Sequence, residues 1–231
     1  MVNATAFGSC RINNSLPSGI NLGKEVSYTH STKETIQLLN FYLGKLTIQP
    51  PYSKYCFRTG IVENKFIDHS PKYKTAILNT DVVFIEICSK KKYIHGGHYL
   101  HHLSVDKRFP EQYRKTPKSI IQEFELQTQS EEEIELDILE LQKILHPRKI
   151  VIISHYDAKL SDGRSIESRL QLINTLKRIC EKHDIYLIEP ADVFRNNSQN
   201  HVVTADLGHY TEKGKQIFSK YIKSFLNKIN T

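Results

Sequence analysis

The 231-residue sequence lacks long hydrophobic runs, paired cysteines and low-complexity segments. No apolar stretch approaches the ~18–20 residues that a membrane span requires. The first residues have neither the basic start nor the apolar stretch of a signal peptide. The four cysteines lie far apart and form no CxxC pair, which argues against a zinc ribbon and a disulfide framework. These absences predict a soluble, cytoplasmic protein with no membrane partner.

The charge balance is basic, with 32 Lys and Arg against 25 Asp and Glu, for a net charge of +7. Such an excess favours anionic ligands, such as phosphates or acidic sugars, without identifying one. The longest basic run is Lys90-Lys91-Lys92. Because no recognition motif accompanies the charge, we do not expect nucleic acid to be a partner. The sequence predicts no particular oligomeric state.

Strand and helix patterns alternate along a chain that has no internal repeat and no Pro/Gly/Ser-rich linker, which predicts a single domain over residues 1–231. Strands are predicted at residues 4–7, 81–88, 149–153 and 185–188, and the main helices at 31–44, 130–147, 165–182 and 211–227. This alternation favours parallel strands joined by right-handed crossovers. We therefore predict an α/β fold, a three-layer α/β/α sandwich with a mainly parallel sheet. Residues 90–125 show no clean period and predict an irregular excursion over the functional face.

Three loops should meet at the carboxyl edge of this sheet, where ligands bind in such folds. One contains Ser9, in the turn after the first strand, and another contains Asp206 and His209, just before the last helix. A serine hydroxyl is a poor nucleophile unless a base removes its proton. His209 is a candidate base, and Asp206 could orient its second ring nitrogen. The simpler alternatives are a helix cap at Ser9 and a surface turn at Asp206 and His209.

The small-residue serine turn and the DxxH motif before the final helix resemble the SGNH/GDSL hydrolase superfamily. In that family the first block supplies the nucleophile, and the last supplies both aspartate and histidine. The opening GSCR (residues 8–11) is closer to GSCFA-type and capsule-biosynthesis relatives than to the lipolytic GDS members. The resemblance implies a serine esterase or an O-acyltransferase, with carbohydrate-linked acetyl groups favoured over long lipids. It implies no bound cofactor, although a coenzyme A thioester stays open as acyl donor.

The middle of the sequence departs from the family pattern. Gly60, within RTGI, is the candidate for the glycine that donates to the oxyanion, but the family's GxND block is absent. Losing one such donor typically costs ~10²–10³ in turnover. Ser89, Lys90 and Arg11 are candidate substitutes. A binding or accessory module that has lost the complete oxyanion site therefore remains the alternative function.

Other residues near the expected edge also have candidate roles. Cys10 is an alternative nucleophile if a helix N-terminus lowers the pKa of its thiol, and otherwise a small packed residue. His155 follows the strand at 149–153 and is a candidate substrate contact. Glu86 lies inside an apolar strand, and because buried carboxylates need partners we expect it to pair with Arg11 or Arg58.

Four histidines lie close together in the predicted excursion, at His95, His98, His101 and His102. Imidazole is a common zinc ligand, but this spacing matches no compact zinc motif. We therefore expect these histidines to line the substrate pocket and predict no metal. A metal-dependent hydrolase is the remote alternative.

Overall fold

Four parallel strands form the central sheet of the computed structural model, which describes residues 3–17, 20 and 27–229. With strands numbered in chain order, they lie side by side as β1 (Ala4–Phe7), β2 (Val82–Glu86), β6 (Lys149–Ile153) and β7 (Tyr186–Ile188). Ala4 is opposite Val82, which in turn is opposite Lys149. All five residues of β2 are buried, as expected for an inner strand covered on both faces.

Helices cover both faces of the sheet. Phe7, Val83 and Ile152 belong to one apolar core with the longer helices on that side, which are α2 (Thr32–Tyr42), α5 (Pro71–Leu78), α8 (Glu131–Leu145) and α9 (Glu167–Lys182). Phe84 and Val151 point the other way, into a second core with α12 (Glu212–Lys228). The alternation arises because successive strand residues face opposite sides. The predicted three-layer α/β/α fold is confirmed.

Shorter helices occupy the connections. They are α1 (Cys10–Asn13), α3 (Tyr52–Tyr55), α4 (Arg58–Val62), α6 (Pro110–Lys115), α7 (Lys118–Glu123), α10 (Pro190–Val193), α11 (Gln199–Val202) and a 3₁₀ turn at His102–Ser104. Within the described residues, no helix is long and apolar enough to cross a membrane.

The helix starts follow the capping residues of the sequence. The Ser31 hydroxyl accepts from the Glu34 amide at the start of α2. Ser130 and Glu133 form a reciprocal capping box at the start of α8. The Thr211 hydroxyl accepts from the Gly214 amide, 3.1 Å away, at the start of α12. The predicted beginnings of these three helices are confirmed.

Helix α9 begins at Glu167, within the range predicted for it, and Ile166 is its N-cap. Its buried stripe begins at Leu172 and continues at intervals of three and four residues as far as Cys180.

The stretch predicted to be irregular contains an antiparallel sheet, which corrects that prediction. Strand β3 (Lys91–His95) lies between β4 (His98–Leu100) and β5 (Glu125–Thr128). Gly96 and Gly97 join β3 to β4, with φ of 55° and 75°. A two-residue hairpin turn with positive φ at both positions favours glycine, so the Gly96-Gly97 pair is the sequence signal for this hairpin.

Candidate active site

A cavity of about 970 Å³ lies where the loops after β1 and β2 meet the loop before α12. Its wall includes seven of the predicted site residues, namely Ser9, Cys10, Arg11, Ser89, His155, Asp206 and His209, but not Gly60, Lys90, His95 or His98. The first and last motifs of the chain therefore meet at one cavity. This juxtaposition depends on the parallel sheet, which brings the ends of distant strands to one edge.

Ser9 occupies the turn between β1 and α1 and is 3% exposed. Its hydroxyl oxygen accepts from the Arg11 amide at 3.2 Å, so the helix-cap role is present. The hydroxyl hydrogen is not used by that bond and remains available to a base. The Ser9 amide donates to Glu86 Oε2 at 2.7 Å. Gly8 permits this approach, since a Cβ there would lie 2.6 Å from Glu86 Cβ.

Asp206 and His209 form the predicted pair, with 2.7 Å between Asp206 Oδ2 and His209 Nδ1. Because a carboxylate only accepts, Nδ1 carries the hydrogen and Nε2 is the nitrogen that can take up a proton. The other carboxylate oxygen accepts from the Thr204 hydroxyl at 2.6 Å and the Gly208 amide at 2.7 Å. The Thr204 hydroxyl, the Gly208 amide and the His209 side chain hold the pKa of Asp206 well below its usual range. The aspartate is therefore ionised and fixes the imidazole tautomer.

Arg11 links the two ends of the chain. Its Nε lies 2.9 Å and its Nη2 2.8 Å from Glu86 Oε1, and its Nη1 donates to the Gly208 carbonyl at 3.0 Å. The guanidinium is only 6% exposed. The expected pairing of Glu86 with Arg11 is confirmed. The expected role of Arg11 as an oxyanion donor stays a prediction: Nε and Nη1 donate to acceptors of the protein, whereas Nη2 makes no hydrogen bond within the described residues.

His155 supports Arg11. Its Nδ1 lies 3.0 Å from the Tyr156 carbonyl, which can only accept, so Nε2 is unprotonated and accepts from Arg11 Nη1 at 2.8 Å. Burial, followed by the charge of Arg11, lowers the pKa of His155 well below its ordinary value. The ring is therefore neutral, and it lines the cavity with both nitrogens engaged.

Gly60 lies inside α4 and outside the cavity wall, which corrects its expected role as an oxyanion donor. A Cβ at this position would come within 2.5 Å of the Lys54 carbonyl, so the glycine permits close backbone packing. Arg58 and Val62 of the same helix do line the cavity, and the Arg58 guanidinium lies 4.5 Å from the centre of the Tyr28 ring. Sequence reasoning considered Arg58 only as a partner for Glu86.

Ser89 and Cys10 line the cavity in half-buried positions. The Ser89 hydroxyl accepts from the Lys91 amide at 3.0 Å, and Lys91, in place of Lys90, reaches the cavity. Burial raises the pKa of the Cys10 thiol, and this effect exceeds the opposing influence of Arg11. The thiol therefore lacks the lowered pKa on which its alternative role as nucleophile depended.

The four histidines of the middle segment separate into two groups. His101 and His102 line the cavity, as predicted, whereas His95 and His98 contact Tyr52. His30, which precedes α2, completes the first group, with ring centroids 5.0 Å from His101 and 4.2 Å from His102. Sequence reasoning missed His30 because the contact arises only when distant segments pack together.

The titratable side chains around the three histidines have shifted pKa values. Burial lowers the pKa of His30 to about 4 and that of His102 to about 3, so these rings are neutral. Burial raises the pKa of the neighbouring Glu34 carboxyl to about 7. Arg58, Lys91 and Arg108 also line the cavity, which gives the wall a basic character.

The parallel α/β sheet and the meeting of a serine turn with an Asp-x-x-His loop at one cavity are the arrangement that the resemblance to the SGNH/GDSL superfamily implied. This chain belongs to the family of the TviD N-terminal domain, whose model matches residues 2–119 and 106–224.

One curated relative is the Vi polysaccharide biosynthesis protein TviD of Salmonella typhi, which is 23% identical over 275 aligned residues. The alignment covers 100% of this chain and 32% of the relative, so the chain spans about a third of that protein's length. Among solved structures, a lipolytic protein of the G-D-S-L family from Veillonella parvula is 10% identical, with a TM-score of 0.47 and 97% of each chain covered. An acetylxylan esterase from Geobacillus stearothermophilus is 12% identical, with a TM-score of 0.43, covering 100% of this chain and 94% of its own. Structural likenesses of this degree carry no inference about activity.

Proposed function

We propose that this chain is a serine-dependent enzyme that acts on acyl esters, with carbohydrate-linked acetyl groups as the preferred substrate class. The observation that carries the proposal is the 2.7 Å pair between Asp206 and His209 in the cavity that Ser9 also lines. In this mechanism, Ser9 Oγ attacks the ester carbonyl carbon while His209 Nε2 takes its proton. His209 then protonates the leaving alcohol, and Asp206 stabilises the imidazolium. Water or a sugar hydroxyl finally accepts the acyl group from the serine.

The oxyanion needs a donor other than the Ser9 amide, because Glu86 already accepts from that amide. Arg58 is our candidate. Its side chain lines the cavity, and its charge opposes part of the rise that burial causes in the pKa of the thiol of Cys10, the neighbour of Ser9. A guanidinium presents several N–H groups to one oxygen. Removing a single oxyanion donor typically costs ~10²–10³ in turnover.

The substrate class rests on the character of the cavity and on the family. Arg58, Lys91 and Arg108 make the wall basic, which suits a polar or anionic substrate better than a lipid chain. The curated relative is, by its name, a polysaccharide biosynthesis protein. In a biosynthetic enzyme, a sugar hydroxyl would take the place of water as acceptor of the acetyl group. A coenzyme A thioester remains the candidate donor.

The test is turnover of p-nitrophenyl acetate and of an acetylated sugar by the purified chain. Ser9→Ala should abolish the reaction with both substrates, and His209→Ala should reduce turnover by about 10³-fold or more. Ser224→Ala, an exposed serine on α12, is the matched control and should keep wild-type activity. Addition of coenzyme A thioester and an acceptor sugar then separates transfer from hydrolysis. Undiminished turnover in Ser9→Ala would refute the proposal.

A second function, a binding module without turnover, is favoured by one specific observation. Ser9 is only 3% exposed, and its hydroxyl already caps α1. The Ser9 amide already donates to the Glu86 carboxylate. A module of this kind would bind an acetylated oligosaccharide in the cavity and leave its esters intact. Binding without hydrolysis or transfer by the wild type would support it.

A further inference from the structure

We propose that His30, His101 and His102 form a binding site for a divalent transition-metal cation, with zinc as the best match. One potential ligand atom from each of the three side chains lies within 4.8 Å of the others. Nitrogens bound to one tetrahedral zinc at ~2.0–2.1 Å are roughly 3.3 Å apart, so the three ligand atoms would have to approach one another by up to about 1.5 Å on binding. The set has the composition of a catalytic-type zinc site, with three protein ligands and one open position.

Two buried nitrogens of this cluster have unused hydrogen-bonding capacity. Within the described part of the chain, His30 Nδ1 and His101 Nε2 have no hydrogen-bond partner. Glu34 Oε2 lies 3.7 Å from His30 Nδ1, beyond hydrogen-bond distance. Buried polar atoms are almost always paired, and each exception needs a physical reason. A cation between the rings would satisfy both nitrogens at once.

Backbone hydrogen bonds already hold the three residues in place. The His30 carbonyl accepts from the amides of Cys88 and Ser89, at 3.0 and 2.9 Å, directly after β2. The His101 amide donates to the Tyr55 carbonyl at 2.9 Å, and the His102 carbonyl accepts from the Asp106 amide at 2.9 Å. The ligands therefore come from two distant segments whose positions are set by the fold, which lowers the ordering cost of binding.

Neighbouring groups have opposing effects on the binding of a cation by the three histidines. Glu34, 2% exposed, accepts from the His30 amide at 3.2 Å and would supply a compensating carboxylate close to the ligands. Arg58 lies near enough to lower the pKa of His30 and would weaken binding by repulsion. His101 would also lose a contact, because ligation through Nε2 places a hydrogen on Nδ1, where the Leu103 amide now donates at 3.3 Å.

His30 and His102 line the same cavity as Ser9, so the open coordination position would face the substrate space. There the cation could hold an oxygen atom of a bound ligand. Binding of the cation itself does not depend on the function proposed for Ser9.

The experiment titrates chelator-treated protein with Co²⁺, followed by visible absorption, and then displaces Co²⁺ with Zn²⁺. We expect one equivalent to bind and His102→Asn to weaken binding by at least about 10²-fold, since even outer-shell changes cost ~10–100-fold. His30→Asn is the second ligand variant, and the melting temperature of each variant without metal shows whether it folds. His98→Gln, a histidine outside the cluster, is the matched control and should bind as the wild type does.

Ser9→Ala should bind Co²⁺ with wild-type affinity even where it has lost all ester turnover, which separates the two proposals. The metal site is overturned if folded wild-type protein takes up neither Co²⁺ nor Zn²⁺ at about 100 µM metal, which would place the Kd well above that concentration. It is equally overturned if folded His30→Asn and His102→Asn bind the metal as tightly as the wild type.

Discussion

Replacing Glu86 tests whether a buried ion pair holds the two ends of the site together. Its carboxylate is fully buried and accepts from the Ser9 amide at 2.7 Å and from Arg11 Nε at 2.9 Å. Glu86→Gln keeps the shape but leaves the Arg11 charge, itself only 6% exposed, without a counter-charge. Breaking a buried pair from one side costs about 3–5 kcal/mol. That is a large part of the ~5–15 kcal/mol that stabilises a typical domain.

The assay is urea unfolding followed by circular dichroism, with the slope m checked for each variant. Arg11→Met should cost about as much as Glu86→Gln, because it leaves the carboxylate unpaired. The double variant Arg11→Met/Glu86→Gln should lose much less than the sum of the two single variants, since no buried charge remains. Glu131→Gln, at the exposed Glu131–Arg178 pair, is the control and should cost about 0–1 kcal/mol. A loss below about 1 kcal/mol in Glu86→Gln, or full additivity in the double variant, would refute the reasoning.

Three further variants test neighbouring parts of the site. Asp206→Asn should lower turnover by about 10²–10⁴-fold with little change in stability, because the side chains of Asp206 and His209 are 56% and 53% exposed; a large loss of stability would contradict this. His155 is held neutral, with a folded-state pKa below its unfolded value, so its contribution to stability is present above pH ~6.5 and is lost as the pH falls below it. In unfolding measurements between pH 7.5 and 5.5, His155→Gln should therefore flatten the pH dependence by up to about 1.4 kcal/mol per pH unit, and an unchanged slope would oppose the assignment. Gly8→Ala should cost about 1–3 kcal/mol in urea unfolding, because its methyl group would lie 2.6 Å from Glu86 Cβ, and a neutral effect would show that the turn can relax.

Local sequence patterns predicted the main strands, the helix starts and the Asp206–His209 pair. The strands at residues 82–86 and 149–153 were found because a strand covered on both faces requires a nearly continuous apolar run. Ser31, Ser130 and Thr211 identified helix starts, since a cap bond depends only on residues three positions apart. The Asp206–His209 pair was also local, because it closes within one short loop.

Features that depend on distant packing were missed or misassigned. The hydrogen bond from Arg11 to the Gly208 carbonyl was not predicted, because only the folded chain brings the last loop to Arg11. Gly60 matched the position of a family glycine in the sequence. In the structure, glycine is needed there because the Lys54 carbonyl lies too close for a side chain. His30 joins His101 only because the amides after β2 hold its backbone in place.

The central claim is that Ser9 is a nucleophile activated by His209. It is tested most directly by treating the protein with a fluorophosphonate and locating the adduct by intact-mass and peptide analysis. The wild type should gain one adduct, located on Ser9. His209→Ala should react at least about 10²-fold more slowly under the same conditions, because the base is gone. Absence of an adduct on the folded wild type, or an equal rate in His209→Ala, would contradict the claim.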